Sequence, residues 1–194
     1  MSDLSKSENV KSDARQQRGQ QGEDEAVRFL ETYGFVMVAR NWRPGQNNAA
    51  QNPHRNAVAS DIEYSKLVAK SSAKRVAAAD GAMRGEIDII AWQTQGAKRI
   101  LCFIEVKTRR ADATGVWSRG APQEAVTFAK QKQISRLANA YVSFHRLHDV
   151  PCRFDVVEVW HQQDRAPRIE HHISAFDYVD PSYGARLASR HRRF

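Results

Sequence analysis

Apolar and polar positions change period several times along the chain, and each change marks an element. From about Arg18, the residues Ala26, Phe29, Leu30 and Tyr33 recur at three- and four-residue steps ahead of Gly34. That pattern predicts an amphipathic helix closed by a glycine cap. Phe35 to Asn41 then reads as a strand. Two short apolar runs follow: Ile87, Ile89, Ile90, Ala91 and Trp92, then Ile100, Leu101, Cys102, Phe103 and Ile104. Both are rich in branched and aromatic residues and predict strands, with Gln93 to Gly96 as the turn of a hairpin. Pro122 suits the first turn of a long helix reaching about Leu147, with Ile134, Leu137, Ala138, Tyr141 and Phe144 as its buried stripe. Phe154 to Trp160 is another strand, and Arg168 to Ile173 a short edge strand. The order predicts an α/β sandwich around a mixed sheet, because the hairpin is antiparallel and the later helix permits a crossover.

Three segments fall outside this pattern. Residues 1–17 are small and polar and predict a disordered tail. Residues 46–82, rich in Asn, Gln, Ala and Ser, show no convincing core face and predict an insertion into one domain spanning 18–180. Its second half can form a helix, with Ser60 and Glu63 as a capping box and Asp80-Gly81 as the stop. Lys66, Lys70 and Lys74 would then form a stripe that is either a solvated face or a phosphate contact. Residues 181–194 are a basic tail.

Composition narrows the partner. A length of 194 residues suggests one domain. A mean hydropathy of −0.64 and the lack of any apolar run near the roughly 20 residues of a membrane span argue for a soluble protein. The polar N-terminus has no secretory core, and Cys102 and Cys152 form no CxxC pair, so reduced thiols in the cytoplasm are expected. A formal charge of +8 points to a polyanion, nucleic acid before membrane.

The chemistry concentrates in Glu86-Ile-Asp88 and Glu105-Val-Lys107, at the polar ends of the hairpin strands. Period-2 alternation puts Glu86 and Asp88 on one face, and Glu105 and Lys107 on one face, of their strands. Carboxylates converging at the rim of a buried sheet cost several kcal/mol unless paired or metal-bound. Alone, Glu-x-Lys can be a surface ion pair and a strand-start Asp can simply tie down a turn. Together they suit Mg²⁺ or Mn²⁺, which one or two carboxylates and a substrate phosphate can hold. Asp88 and Glu105 can share the ion, Glu23 or Glu86 can complete its shell, and Lys107 can orient the attacking water. Lys130 extends the stripe of the second helix and can face the same cleft. His145 and His148 read as surface residues, and His171 and His172 as facing opposite ways.

At these residues the sequence resembles the YraN family, bacterial uncharacterised protein family number 0102. The matching segments are Gly19-x-x-Gly22-Glu23-x-x-Ala26, Ala39-Arg-Asn-Trp-Arg43, Arg84-Gly-Glu-Ile-Asp-Ile-Ile-Ala91 and Phe103-Ile-Glu-Val-Lys-Thr-Arg109. Gly120-x-Pro122, Glu124-Ala-Val126 with Lys130, Arg153-Phe-Asp-Val-Val157 and Ala175-Phe176 continue the match. That family is similar to restriction-endonuclease-like nucleases, archaeal Holliday-junction resolvases among them. The resemblance implies an αβββαβ core with Asp88, Glu105 and Lys107 as the active-site triad and Glu23 as a further acid. Residues 46–82 depart from it, which leaves substrate access open. The expectation is a Mg²⁺-dependent DNA endonuclease, with branched or distorted DNA as candidate substrate and a homodimer as candidate assembly. The alternative is a non-catalytic nucleic-acid-binding protein on the same fold.

Overall fold

A computed structural model describes residues 3–45, 83–110, 126–162 and 165–180. Its elements are α1 (Asp3–Thr32), β1 (Phe35–Trp42), β2 (Ile87–Gln95), β3 (Lys98–Arg110), α2 (Phe128–His145), β4 (Cys152–His161) and β5 (Arg168–His172). This is the αβββαβ order of a restriction-endonuclease-like core with one added edge strand. Helix α1 extends back to Asp3, through the stretch expected to be disordered. Residues 1–18 contain neither Pro nor Gly, so nothing local breaks the helix once its packed half, from Gly22 onward, is formed. Among the described residues no helix is long and apolar enough to cross a membrane.

The five strands lie in the order β1-β2-β3-β4-β5. Only the β3–β4 pair is parallel, and α2 lies within the crossover that joins them. The hairpin turn falls later than expected. Gln93 pairs with Ile100 and Gln95 with Lys98, leaving a two-residue turn at Gly96-Ala97. Gly96 takes φ +60°, the conformation a two-residue hairpin asks of glycine at its first position. Gln93 to Gln95 are polar, so apolar content understates this strand's length.

Side-chain parity divides the core between two layers. On the α1 side, Ala26, Val27 and Leu30 pack with Met37, Ile89, Ala91, Cys102, Ile104, Val157 and Val159. On the α2 side, Ile134, Leu137, Ala138 and Tyr141 pack with Ile90, Leu101, Phe103, Phe154 and Val156. Tyr33, expected in the α1 stripe, is instead 65% exposed and rests on the Phe29 ring at 4.7 Å between centroids. It lies beyond the last helical turn, where the 100° step no longer holds. Helix α2 begins at Phe128, not near Pro122. The Thr127 side chain accepts from the Lys130 N–H as its N-cap. Pro122 lies outside the described residues, as do residues 46–82 with the lysine stripe and the basic tail at 181–194.

Trp42 pairs with Ile87 across β1 and β2, so the chain leaves one strand and re-enters its neighbour at adjacent positions. A short turn can bridge that gap. Replacing residues 46–82 by a Gly-containing turn is therefore expected to leave the thermal midpoint within about 2–4 °C, the equivalent of roughly 1 kcal/mol. Loss of soluble, cooperatively melting protein would show that the segment packs into the domain.

Candidate active site

The sheet's rim at the start of β2 and the end of β3 carries the acids. Asp88 and Glu105 are 9% and 4% exposed. The register pairs Ile89 with Ile104, and carried on by one residue it sets Asp88 opposite Glu105. The Val106 backbone N–H donates to Asp88 Oδ2 at 2.7 Å, which orients that carboxylate. Burial and the neighbouring Glu105 charge push Asp88 up to about 7. The Val106 hydrogen bond and Lys130 oppose the shift, and Glu23 adds to it.

Two lysines answer Glu105. Lys107 Nζ donates to its Oε1 at 2.7 Å, and Lys130 Nζ, from the first turn of α2, stands 3.0 Å from its Oε2. The second contact lacks hydrogen-bond geometry, so buried Oε2 keeps an unused lone pair. The structure thus brings together Asp88, Glu105, Lys107 and Lys130, from β2, β3 and α2. Helix α1 supplies Glu23. Gly22 lets the helix approach β3 so closely that a Cβ there would meet Thr108 Oγ1 at 2.0 Å. Glu23 Oε2 accepts from Asn41 Nδ2 at 2.9 Å, and Asn41 adopts φ +48°, which asparagine tolerates. Burial raises the Glu23 carboxyl, Asn41 and Arg40 lower it, and Glu86 and Asp24 raise it further.

Glu86, considered with Glu23 for the metal shell, is engaged by an arginine. Arg43 Nε and Nη2 both donate to its Oε2, at 2.9 and 2.6 Å. It sits one residue before β2, where the carboxylate turns toward the end of β1. The fit to a divalent cation therefore rests on Asp88, Glu105 and Glu23. Although the ligand atoms of the three do not all lie within 4.8 Å of one another, all are buried or half-buried oxygen donors, one has an unused lone pair, and burial together with the Glu105 charge raises Asp88. A hard dication relieves each of these features.

A second polar group on the same face was not anticipated. Glu158, Glu170 and His172 offer ligand atoms within 4.8 Å of one another. Their carboxylates are already engaged: Arg109 Nε donates to Glu158 Oε1 at 2.8 Å, His172 Nε2 lies 3.2 Å from Glu158 Oε2, and Arg168 pairs with Glu170. On the opposite face, fully buried Asp155 holds Arg153 through two bonds of 2.8 Å, His171 at 3.0 Å and the Ser174 N–H at 2.9 Å. His171 and His172 thus do face opposite ways, each onto a carboxylate of β4. An acid within the apolar run Phe154 to Trp160 was the available signal for this network. His145 is packed rather than superficial, 4.2 Å from the Tyr141 ring centroid, and burial lowers it to about 4. Both cysteines are free thiols.

A family model described as "Uncharacterised protein family UPF0102" matches residues 67–159. A UPF0102 protein of Chlorobium phaeobacteroides is 35% identical over 163 residues, covering 81% of this chain and 92% of that protein. One of Rhodopirellula baltica is 36% identical, covering 80% and 84%. One of Trichlorobacter lovleyi is 48% identical over 93 residues, covering 48% and 67%.

Proposed function

The chain belongs to the uncharacterised protein family UPF0102, whose name carries no activity, and from the site itself we propose a metal-dependent nuclease that hydrolyses DNA phosphodiester bonds in the cytoplasm. The observation that carries this reading is the convergence of buried Asp88 and Glu105 with Lys107 and Lys130 at one rim of the sheet. A structural role alone would not require two neighbouring acids at a buried rim, where burial first and the Glu105 charge second push Asp88 up to about 7. Asp88 and Glu105, with Glu23 beside them, are the residues to hold Mg²⁺ or Mn²⁺. The bound ion supplies a lowered water pKa and offsets charge developing on the phosphate.

The protein's own groups have separate tasks. Glu105 orients Lys107, whose ammonium is partly exposed and can position the attacking water or donate to a phosphate oxygen. Lys130 reaches the same carboxylate from α2 and limits negative charge where a polyanion must approach. A formal charge of +8 supports a nucleic-acid substrate, DNA before RNA, and a branched or distorted form suits a site with no base-reading module. A homodimer would present two such rims to a two-stranded substrate.

The decisive assay incubates purified protein with Mg²⁺ or Mn²⁺ and single-stranded, duplex, flap and four-way DNA. Divalent-dependent cleavage is expected. Binding without cleavage of any of these would leave the non-catalytic reading standing instead. Lys107→Ala is expected to lower turnover by about 10²–10³-fold, as loss of a positioned charge or proton-transfer group does. Its Mn²⁺ affinity by isothermal titration should change much less. The reverse pattern would make Lys107 merely a partner of Glu105.

A further inference from the structure

Beside the acids lies a polar cavity of about 480 Å³, formed where the end of β1 meets the approach to β2. Arg43, Arg84 and Lys130 line it, along with Gly85 and Glu86. Lys130 is shared with the acidic rim, because its ammonium stands 3.0 Å from Glu105. The two sites are therefore adjoining parts of one surface.

Among the described residues, Arg43 is held but not satisfied. Its Nε and Nη2 both donate to one oxygen of Glu86, and the other three of its five guanidinium N–H groups meet no acceptor among the described residues and can take another one. An ion pair whose partners are 52% and 34% exposed contributes little stability. Its effect is to orient the guanidinium.

The backbone beneath is equally constrained. Gly85 adopts φ +111°, and a Cβ on it would stand 2.3 Å from Gln133 Nε2. The same Gln133 Nε2 donates to the Arg84 carbonyl at 3.1 Å. Helix α2 thus pins the segment that presents Arg84 and Glu86, and Glu86 in turn orients Arg43.

We propose that this cavity seats a second backbone phosphate of the nucleic acid, next to the one at the acidic rim, with Arg43 as its principal ligand and Arg84 as its neighbour. The proposal rests on the nuclease reading and deepens it. Among the described residues the lining is rich in cationic donors and contains no aromatic ring on which a base could stack. The substrate is accordingly gripped by its sugar–phosphate backbone and selected by shape rather than by sequence. Arg43 is a positioning residue, since its contact lies beside the reacting phosphate.

The test is fluorescence anisotropy of the full chain with labelled four-way DNA, and with two duplexes of unrelated sequence, in EDTA across a salt series. Arg43→Gln is expected to weaken binding about tenfold, the loss of a charged hydrogen bond. It should also reduce the slope of log affinity against log salt by about 1, equally for both duplexes. Arg28→Gln, on the exposed face of α1, is the control for loss of one positive charge. If Arg43→Gln melts early, exposed Arg84→Gln replaces it and should give a drop of the same kind. Variants that bind like the Arg28 control overturn the proposal, and so does a loss that differs between the two duplexes. In both cases wild-type binding and cleavage persist, so the nuclease reading survives. A wild-type chain that neither binds nor cleaves DNA overturns both.

Discussion

Asp88→Asn is expected to reduce divalent-dependent DNA cleavage by about 10³-fold or more, while the metal-free protein binds DNA as well as wild type or better. Loss of a metal-holding carboxylate removes several kcal/mol of transition-state stabilisation, and each 1.36 kcal/mol is about tenfold in rate. Binding survives because Asn can still accept the Val106 N–H and because one negative charge has left the path of a phosphate. The same variant has a second readout. Asp88 ionises in the folded protein only near about 7, against an ordinary 3.8, so its charged form costs the fold stability. That cost is absent below about 4, grows as pH rises, and is complete above about 7. The metal-free Asn variant should therefore melt higher than wild type at pH 8, by about 2–4 °C for each kcal/mol relieved, and match it near pH 4. Added Mg²⁺ or Mn²⁺ should narrow the gap by stabilising only wild type. Cleavage at near wild-type rate would remove Asp88 from the chemistry. An unchanged midpoint at pH 8 would mean that Lys107 and Lys130 already neutralise the rim.

The second large effect is on folding. Asp155→Ala is expected to destabilise the protein by about 3–5 kcal/mol, the usual cost of removing one partner from a buried ion pair. Arg153 would lose both bonds of its fork, and the Ser174 N–H would lose its acceptor. The turn carrying Ser174 at φ +52° leads directly into Ala175 and Phe176, which pack on the α2 side. Asp155 therefore secures both β5, through His171, and the segment that closes that layer. Burial works to raise this carboxyl, but hydrogen bonds from His171, Arg153 and Ser174 outweigh it and hold it below the ordinary 3.8. A depressed acid contributes stability above its unfolded value and loses it as pH falls through the folded one. Wild type should thus lose stability below about pH 4, and Asp155→Ala should lose less over the same range. Urea unfolding across pH measures both, and a cost under about 1 kcal/mol at neutral pH would mark the network as incidental.

Much of the rim was legible because its residues are close in sequence and share one strand rule. Glu105 and Lys107 are two apart, and alternation alone puts them on one face. Strand type followed from the apolar runs themselves, and the meeting of Asp88 with Glu105 followed from a hairpin. Lys130 was legible at one remove, as the helical continuation of a stripe through Ile134 and Leu137. The turn at Gly96-Ala97 was read too early because polar residues can pair in a ladder as well as apolar ones. The α2 start was misplaced because Pro122 permits a helix start but does not impose one, whereas the Thr127 hydroxyl caps the Lys130 N–H.

What the sequence determined by itself is therefore the α/β class, the αβββαβ order and the short-range part of the site, Asp88 with Glu105 and Lys107. Only the tertiary structure decided that Glu86 answers Arg43, that Asn41 holds Glu23, and that Asp155 and Glu158 gather the two histidines of β5 on opposite faces. The reason is geometric. Side chains on one strand or across one tight turn have separations set by covalent repeat distances. Arg43 and Glu86, or Asp155 and His171, meet only after register and helix packing have chosen among many partners for the same charge.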